Sequence, residues 1–207
     1  MDKLKLFWRE SWLLLVSSLA FGIALAAADA AWKPRIRQNE INKFNGLAVG
    51  LLASASARFE PLPEPVTVTL RGREYAVEIK RASAGDKPIA WAFVAEGSGF
   101  ADAIKLVVVV DAAFETIKGF DVLYSNETPG FGDRIAIRNG FFQKQFAGAP
   151  AAELQLVKVG DDAQIDDTIV AISGATVSSQ AVVDVVNAHI EQIKKALQTK
   201  GLIKNGR

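Results

Sequence analysis

Hydrophobic residues fall along this chain in three regimes. From Trp12 to Ala28 the run WLLLVSSLAFGIALAAA carries no charge over roughly seventeen residues, the lower limit for a bilayer-spanning helix. Trp12 and Trp32 lie near its two ends, where aromatic side chains anchor a span at the interfaces. From Asn39 to Leu52, Ile41, Phe44, Leu47, Ala48, Leu51 and Leu52 recur at helical spacing, which predicts an amphipathic connecting helix. Beyond Pro61, Pro63 and Pro65 the pattern shortens to that of strands.

The strand regime begins with VTVTL at Val66 to Leu70 and YAVEI at Tyr75 to Ile79, joined by a turn at Arg71, Gly72 and Arg73. Further strands are predicted at Trp91 to Ala95, Ile104 to Val110 and Ile117 to Leu123. The run IKLVVVV suits a strand buried on both faces. Asn139 to Phe146 reads as helical, and Leu154 to Val159 and Thr168 to Ile172 as extended. A last helix, Ser178 to about Gln198, gathers Ala181, Val182, Val185, Val186, His189, Ile193 and Ala196 on one face, to pack across the sheet. The predicted class is α+β: a single N-terminal transmembrane helix, then one mainly antiparallel sheet domain packed with helices. Its expected divisions are a tail and anchor at 1–37, a connecting helix and linker at 38–65, and one domain at 66–207.

Lys3, Lys5 and Arg9 precede the apolar run and Lys33, Arg35 and Arg37 follow it, so charge counting gives no orientation. A short tail before a long C-terminal domain fits a signal anchor that exports the domain. A cleaved signal peptide, with small residues around Ala28, Asp29 and Ala30, fits the same features.

Composition narrows the chemistry. Formal net charge is +1 and no long basic run occurs, which argues against a nucleic-acid partner. Cysteine is absent, excluding disulfides, thiolate-held iron-sulfur clusters and Cys-type zinc sites. His189 is the only histidine, sits inside a predicted helix and has no nucleophile-elbow pattern to serve, so no catalytic or metal-ligand set emerges. A redox role would need an organic cofactor.

One junction concentrates small, hydroxylated residues between a strand and the last helix: Ser173, Gly174, Ala175, Thr176, Val177, Ser178 and Ser179. Gly174 permits a tight backbone path, Ser178 or Ser179 is placed to cap the helix, and an anion there would meet unpaired N–H groups and the positive end of the helix dipole. From residue types alone the segment also reads as an ordinary capped turn. Upstream, Glu127, Thr128, Pro129, Gly130, Phe131 and Gly132 form a second candidate loop, stiffened by its Pro-Gly pair. Glu127 and Thr128 are placed to bond a ligand's polar edge or to fix the loop, and Phe131 to pack on a flat ring.

The two segments resemble the SGAT and ETPG-x-G motifs of the FMN-binding family that includes the Rnf G protein and its counterpart in the sodium-pumping NADH:quinone reductase, the NqrC type. WAFVAEGSGF, Asp102 and Ile104, the strand entry at Ile117 to Phe120, FFQKQFAG and AVVDVVN agree with that likeness in order. The resemblance implies that Thr176 accepts FMN in a phosphoester bond made by a flavin transferase. Ser173, Gly174, Ala175, Val177, Ser178, Glu127, Thr128, Gly130 and Phe131 would surround the cofactor.

It also implies an electron carrier without stand-alone catalysis, working beside other Rnf subunits and membrane lipid to couple ferredoxin and NAD oxidoreduction to ion movement. The domain is then expected on the periplasmic or extracytoplasmic side of the inner membrane. In the transferase pattern an acid usually stands where this chain has Val170, with Asp166 and Asp167 displaced. Two other readings share the residues: an FMN subunit of a quinone-linked or other reductase, and a cofactor-free anchored binding module.

Overall fold

The structure, a computed structural model, describes residues 2–52, 57–85 and 87–204, with side chains from Ser11 onward. The side chains of Lys3, Lys5 and Arg9 and the linker residues 53–56 lie outside the described residues. The chain separates into two compact units, Met1–Lys43 and Phe44–Arg207.

The N-terminal unit is helical throughout. Helix α1 (Asp2–Leu52) runs without interruption from the apolar stretch into the amphipathic one, with Pro34 inside it, where the missing N–H removes one helical hydrogen bond. Among the described residues α1 is the helix long and apolar enough to cross a membrane. Leu13, Leu14, Leu19, Phe21 and Ile23 are all exposed on it, an all-round apolar surface that only lipid or another apolar phase would cover. Trp12 and Trp32 are separated by about 30 Å at about 1.5 Å rise per residue, the thickness of a hydrocarbon core.

The second unit is built on a five-stranded antiparallel sheet in the order β1-β4-β5-β6-β7. Its strands are β1 (Arg58–Pro61), β4 (Ile79–Ala84), β5 (Lys87–Ser98), β6 (Ala103–Asp111) and β7 (Ile117–Tyr124). Between β1 and β4 lies a separate hairpin of β2 (Val66–Leu70) and β3 (Arg73–Val77). Arg71 (φ 50°) and Gly72 (φ 76°) close it, the two positive-φ positions that a tight hairpin turn requires. The predicted three-residue turn is therefore two residues long, and Arg73 already belongs to β3.

The predicted strand Tyr75 to Ile79 is split. Val77 pairs with Val66 in the hairpin, whereas Ile79 pairs with Phe93 in the main sheet, so the chain changes sheets at Glu78. The predicted helix at Asn139 to Phe146 shrinks to α2 (Phe141–Lys144), because Asn139 takes φ 55° and cannot begin a helix. Short strands β8 (Gln155–Val157) and β9 (Thr168–Val170) pair in parallel.

Helix α3 (Thr176–Thr199) covers one sheet face with Ala181, Val182, Val185, Val186, Ile190, Ile193 and Leu197. Gln192 clamps the hairpin to it, accepting the Thr69 N–H and donating to the Thr69 carbonyl, both at 2.9 Å. Buried His189 joins α3 to β5, its Nε2 accepting the Glu96 N–H at 3.2 Å and its Nδ1 lying 2.8 Å from the Val185 carbonyl.

Candidate functional site

Helix α3 begins two residues earlier than the sequence predicts. Its first residue is Thr176, its N-cap is Ala175, and no side chain caps it. Ser178 and Ser179 therefore do not act as caps, because they lie inside the first turn. The Ser179 hydroxyl turns back to donate to the Ala175 carbonyl at 2.9 Å and accepts the Ile172 N–H at 3.0 Å, closing the strand-to-helix junction from below. The first helical bond runs from the Ser179 N–H to the Ala175 carbonyl, so the N–H groups of Thr176, Val177 and Ser178 lack helical partners. No acid occupies that first turn, which leaves the positive end of the helix dipole without a counter-charge of its own.

The approach to the helix is a β-turn, in which the Ala175 N–H bonds the Ile172 carbonyl at 2.9 Å and Gly174 takes φ 81° at the third position. Thr128 to Phe131 form a matching turn, with Pro129 second, Gly130 third at φ 78°, and the Phe131 N–H bonding the Thr128 carbonyl at 3.2 Å. Proline second and glycine third is the arrangement a type II turn needs.

Three contacts lock the two turns together. The Phe131 ring lies 3.5 Å from where a Gly174 Cβ would stand. Arg134, on the short 3-10 turn Gly132–Ala136, donates to the Ser173 carbonyl at 3.3 Å. Beneath them the Ser178 hydroxyl donates to Glu127 Oε2 at 2.5 Å. Glu127 is 5% exposed, and its other oxygen accepts the N–H groups of Phe100 and Ala101 at 2.9 and 3.0 Å. A buried carboxylate supplied with that many donors is fully satisfied. Gly132 is small for the same reason, since a Cβ there would meet Ser178 Oγ and Glu127 Oε2.

Above this bolt opens a cleft of about 440 Å³, lined mainly by apolar atoms. Of the predicted residues, Thr128, Phe131, Gly174, Ala175, Thr176, Val177 and Ser178 line it, with Thr176 half-buried. Glu127 supports the cleft from below, Gly130 shapes its turn, and exposed Ser173 holds Arg134 through its carbonyl. Three participants were absent from the sequence-derived set: Phe100 and Gly132, which line the cleft, and Arg134. The alternation of G-x-G in the second motif hinted at Gly132, whereas nothing in the local pattern pointed to Phe100 or Arg134.

At Val170 the side chain is half-buried, near Gly160, and Gln145 brackets its backbone, accepting its N–H at 2.7 Å and donating to its carbonyl at 3.2 Å. The neighbouring Asp166 is engaged locally, accepting from the Thr168 N–H at 2.7 Å and the Gln164 amide at 2.6 Å.

Residues 99–191, which hold both turns, match the family model described as an FMN-binding domain. Over 177 residues the chain is 30% identical to the G protein of the ion-translocating oxidoreductase complex of Cereibacter sphaeroides, covering 84% of this chain and 78% of that one. The chain belongs to the Rnf G family. It is also 42% identical over 90 residues to the corresponding protein of Methanosarcina acetivorans, 44% of either chain. With the G protein of the proton-translocating ferredoxin:NAD(+) oxidoreductase complex of Clostridium ljungdahlii it shares 36% over 112 residues, 54% of this chain and 57% of that one. The chain thus spans about half the length of these two relatives.

The fold agrees with two solved structures. The NqrC of Shewanella oneidensis superposes with a TM-score of 0.55 over 65% of this chain and 70% of that one, at 21% identity. The equivalent component of the Na(+)-translocating NADH-quinone reductase of Parabacteroides distasonis gives 0.53 over 83% and 98%, at 19%. The Rnf G family therefore shares its architecture with the NqrC group.

Proposed function

We propose that this protein is the FMN-carrying electron-transfer subunit of an Rnf-type ion-translocating oxidoreductase, with the cofactor esterified through its phosphate to Thr176. The observation that carries this reading is a half-buried threonine hydroxyl at the open N-terminus of α3, inside an apolar cleft framed by two glycine turns. The cleft volume lies within the roughly 300–1,000 Å³ usual for small-molecule sites. An esterified phosphate at Thr176 meets the unpaired N–H groups of the first turn and the helix dipole, with the guanidinium of Arg134 fixed beside the same loop. Phe131 and Val177 offer apolar surface to a flat ring.

Bound FMN supplies the redox chemistry, so the protein need provide only binding, position and environment. Ser178 and Glu127 keep the two turns in register, Thr128 faces the cleft, and Ser173, Ala175 and Gly130 define the backbone path. A covalent tether holds the cofactor where dissociated flavin would be lost.

On this reading residues 1–37 are a single-pass anchor in the inner membrane, 38–65 a connecting helix and linker, and 66–207 the FMN-binding domain on the periplasmic or extracytoplasmic side. Its partners are the other proteins of the complex, membrane lipid and, during maturation, a flavin transferase. The complex couples ferredoxin and NAD oxidoreduction to ion movement, and this protein relays electrons within it.

Intact-mass measurement of the full chain, expressed with and without the transferase, tests the linkage. The ester adds the mass of FMN less one water, and Thr176→Ala abolishes the gain. An unmodified mass in every sample from a flavinylating host overturns the covalent reading in favour of a cofactor-free anchored module.

A further inference from the structure

The turn between β5 and β6 is fixed more firmly than a surface connection requires. Gly99 N–H bonds the Asp102 carbonyl at 2.7 Å, and the next two N–H groups both end on Glu127 Oε1. Asp102 closes the far side, accepting the Ala103 N–H at 2.7 Å through one carboxylate oxygen and the Tyr124 hydroxyl at 2.9 Å through the other. A Cβ at Gly99 would run into Glu127 Oε1, Ile104 and the Asp102 carbonyl, so the turn also excludes any larger residue there.

Held in this frame, the Phe100 backbone has little freedom, yet its side chain is 65% exposed and lines the cleft that contains Thr176. An aromatic ring left in water forgoes about 25 cal/mol per Å² of apolar area. Exposed apolar surface on a rigid support marks a place where something binds. The support is the same buried carboxylate that holds Ser178 in the first turn of α3, so ring and acceptor hydroxyl are positioned by one group.

We propose that Phe100 is a flavin-contacting residue, a wall of the cofactor site contributed by the β5–β6 turn and independent of both sequence motifs. This inference rests on the reading of Thr176 as the flavin carrier. It assigns Glu127 the part of a positioning residue, which sets Phe100 against the cleft without itself touching the ring.

The test uses full-length protein co-expressed with the transferase and purified in detergent, comparing wild type, Phe100→Ala, Phe100→Tyr and Ile137→Ala. Ile137 is exposed but lies outside the cleft. Intact mass reports the adduct, and iodide quenching of flavin fluorescence reports how far the ring is shielded. In Phe100→Ala the adduct persists while the quenching constant rises about two- to tenfold, the population shift that loss of one aromatic ring contact allows. Phe100→Tyr and Ile137→Ala quench like wild type. Loss of the adduct in Phe100→Ala alone, restored by tyrosine, supports the same contact. A fully adducted Phe100→Ala with wild-type quenching overturns the Phe100 inference alone, and an unmodified wild-type chain overturns it together with the covalent reading.

Discussion

The two faces of the central sheet are built from different materials. Along β6, Leu106, Val108 and Val110 point into the cluster beneath α3, while Val107 and Val109 point into the cluster beneath the end of α1. The α3 side is filled by large, irregular rings: Phe93 stacked on Phe114, and Phe120 set edge-on against Phe142 and Phe146. The α1 side is nearly flat. Ala82, Ala90 and Ala92 face Ala48, Leu47 and Phe44, and a Cβ at Gly119 would touch Leu51 at 3.0 Å. Interlocking rings admit one position for a helix, whereas an alanine floor mainly lets a helix come close. That division suits the two tasks, because α3 must deliver Thr176 to a cleft with precision and the end of α1 has only to stay attached.

The largest expected effect comes from breaking the ring-filled side. Phe120 is fully buried and its ring centroid lies 4.7 Å from that of Phe146. Phe120→Ala is expected to lower unfolding stability by about 3–5 kcal/mol, through lost transfer energy and the cavity left behind. Denaturant titration of the full chain in detergent measures this. A loss under about 1 kcal/mol would mean that the aromatic side collapses as readily as the flat one, and the comparison would fail.

Overfilling the flat side should cost less. Ala48 is completely buried against the sheet, and Ala48→Leu inserts branched carbon where no gap exists, for about 1–3 kcal/mol. Because the strain falls on the face away from α3, the fraction of chain carrying the flavin adduct should not change. A parallel fall in stability and adduct would show that the faces are not separable.

How much of this was legible follows the same physics. IKLVVVV announced a strand covered on both sides because nearly every residue in it is apolar, and β6 is covered on both sides. Strand β1 gave no signal: three of its four residues are exposed, and it ends on a proline at the sheet edge. Strand β4 was equally silent, since Lys80, Arg81 and Ser83 break any alternation, and its place is set by pairing with Phe93 and Ala92 rather than by propensity.

At the site, both turns were readable from glycine and proline chemistry. The helix start was not, because two consecutive serines look like caps whichever of them lies inside. Phe100 stayed hidden because it reaches the cleft through Glu127, 27 positions away, and no local pattern records such a contact.

The smallest effect expected concerns His189, which bridges the ring-filled face to its helix. The Glu96 N–H donates to Nε2, so the proton sits on Nδ1, facing the Val185 carbonyl, and the buried ring is neutral. Burial is the main influence and pushes its pKa below the ordinary histidine value, while the Val185 carbonyl and the charge of Glu96 pull partly the other way. The unfolded chain therefore takes up a proton near about pH 6.5 that the folded chain still refuses. Stability contributed by this residue is complete above about pH 6.5 and declines as the pH falls from there toward the folded pKa. Denaturant midpoints at a series of pH values between about 7.5 and 5.5, a window above most carboxylate titrations, should fall for wild type. The slope should flatten in His189→Gln, which keeps an acceptor for the Glu96 N–H but cannot charge. An identical slope in both proteins would locate the titrating group elsewhere and reduce His189 to packing alone.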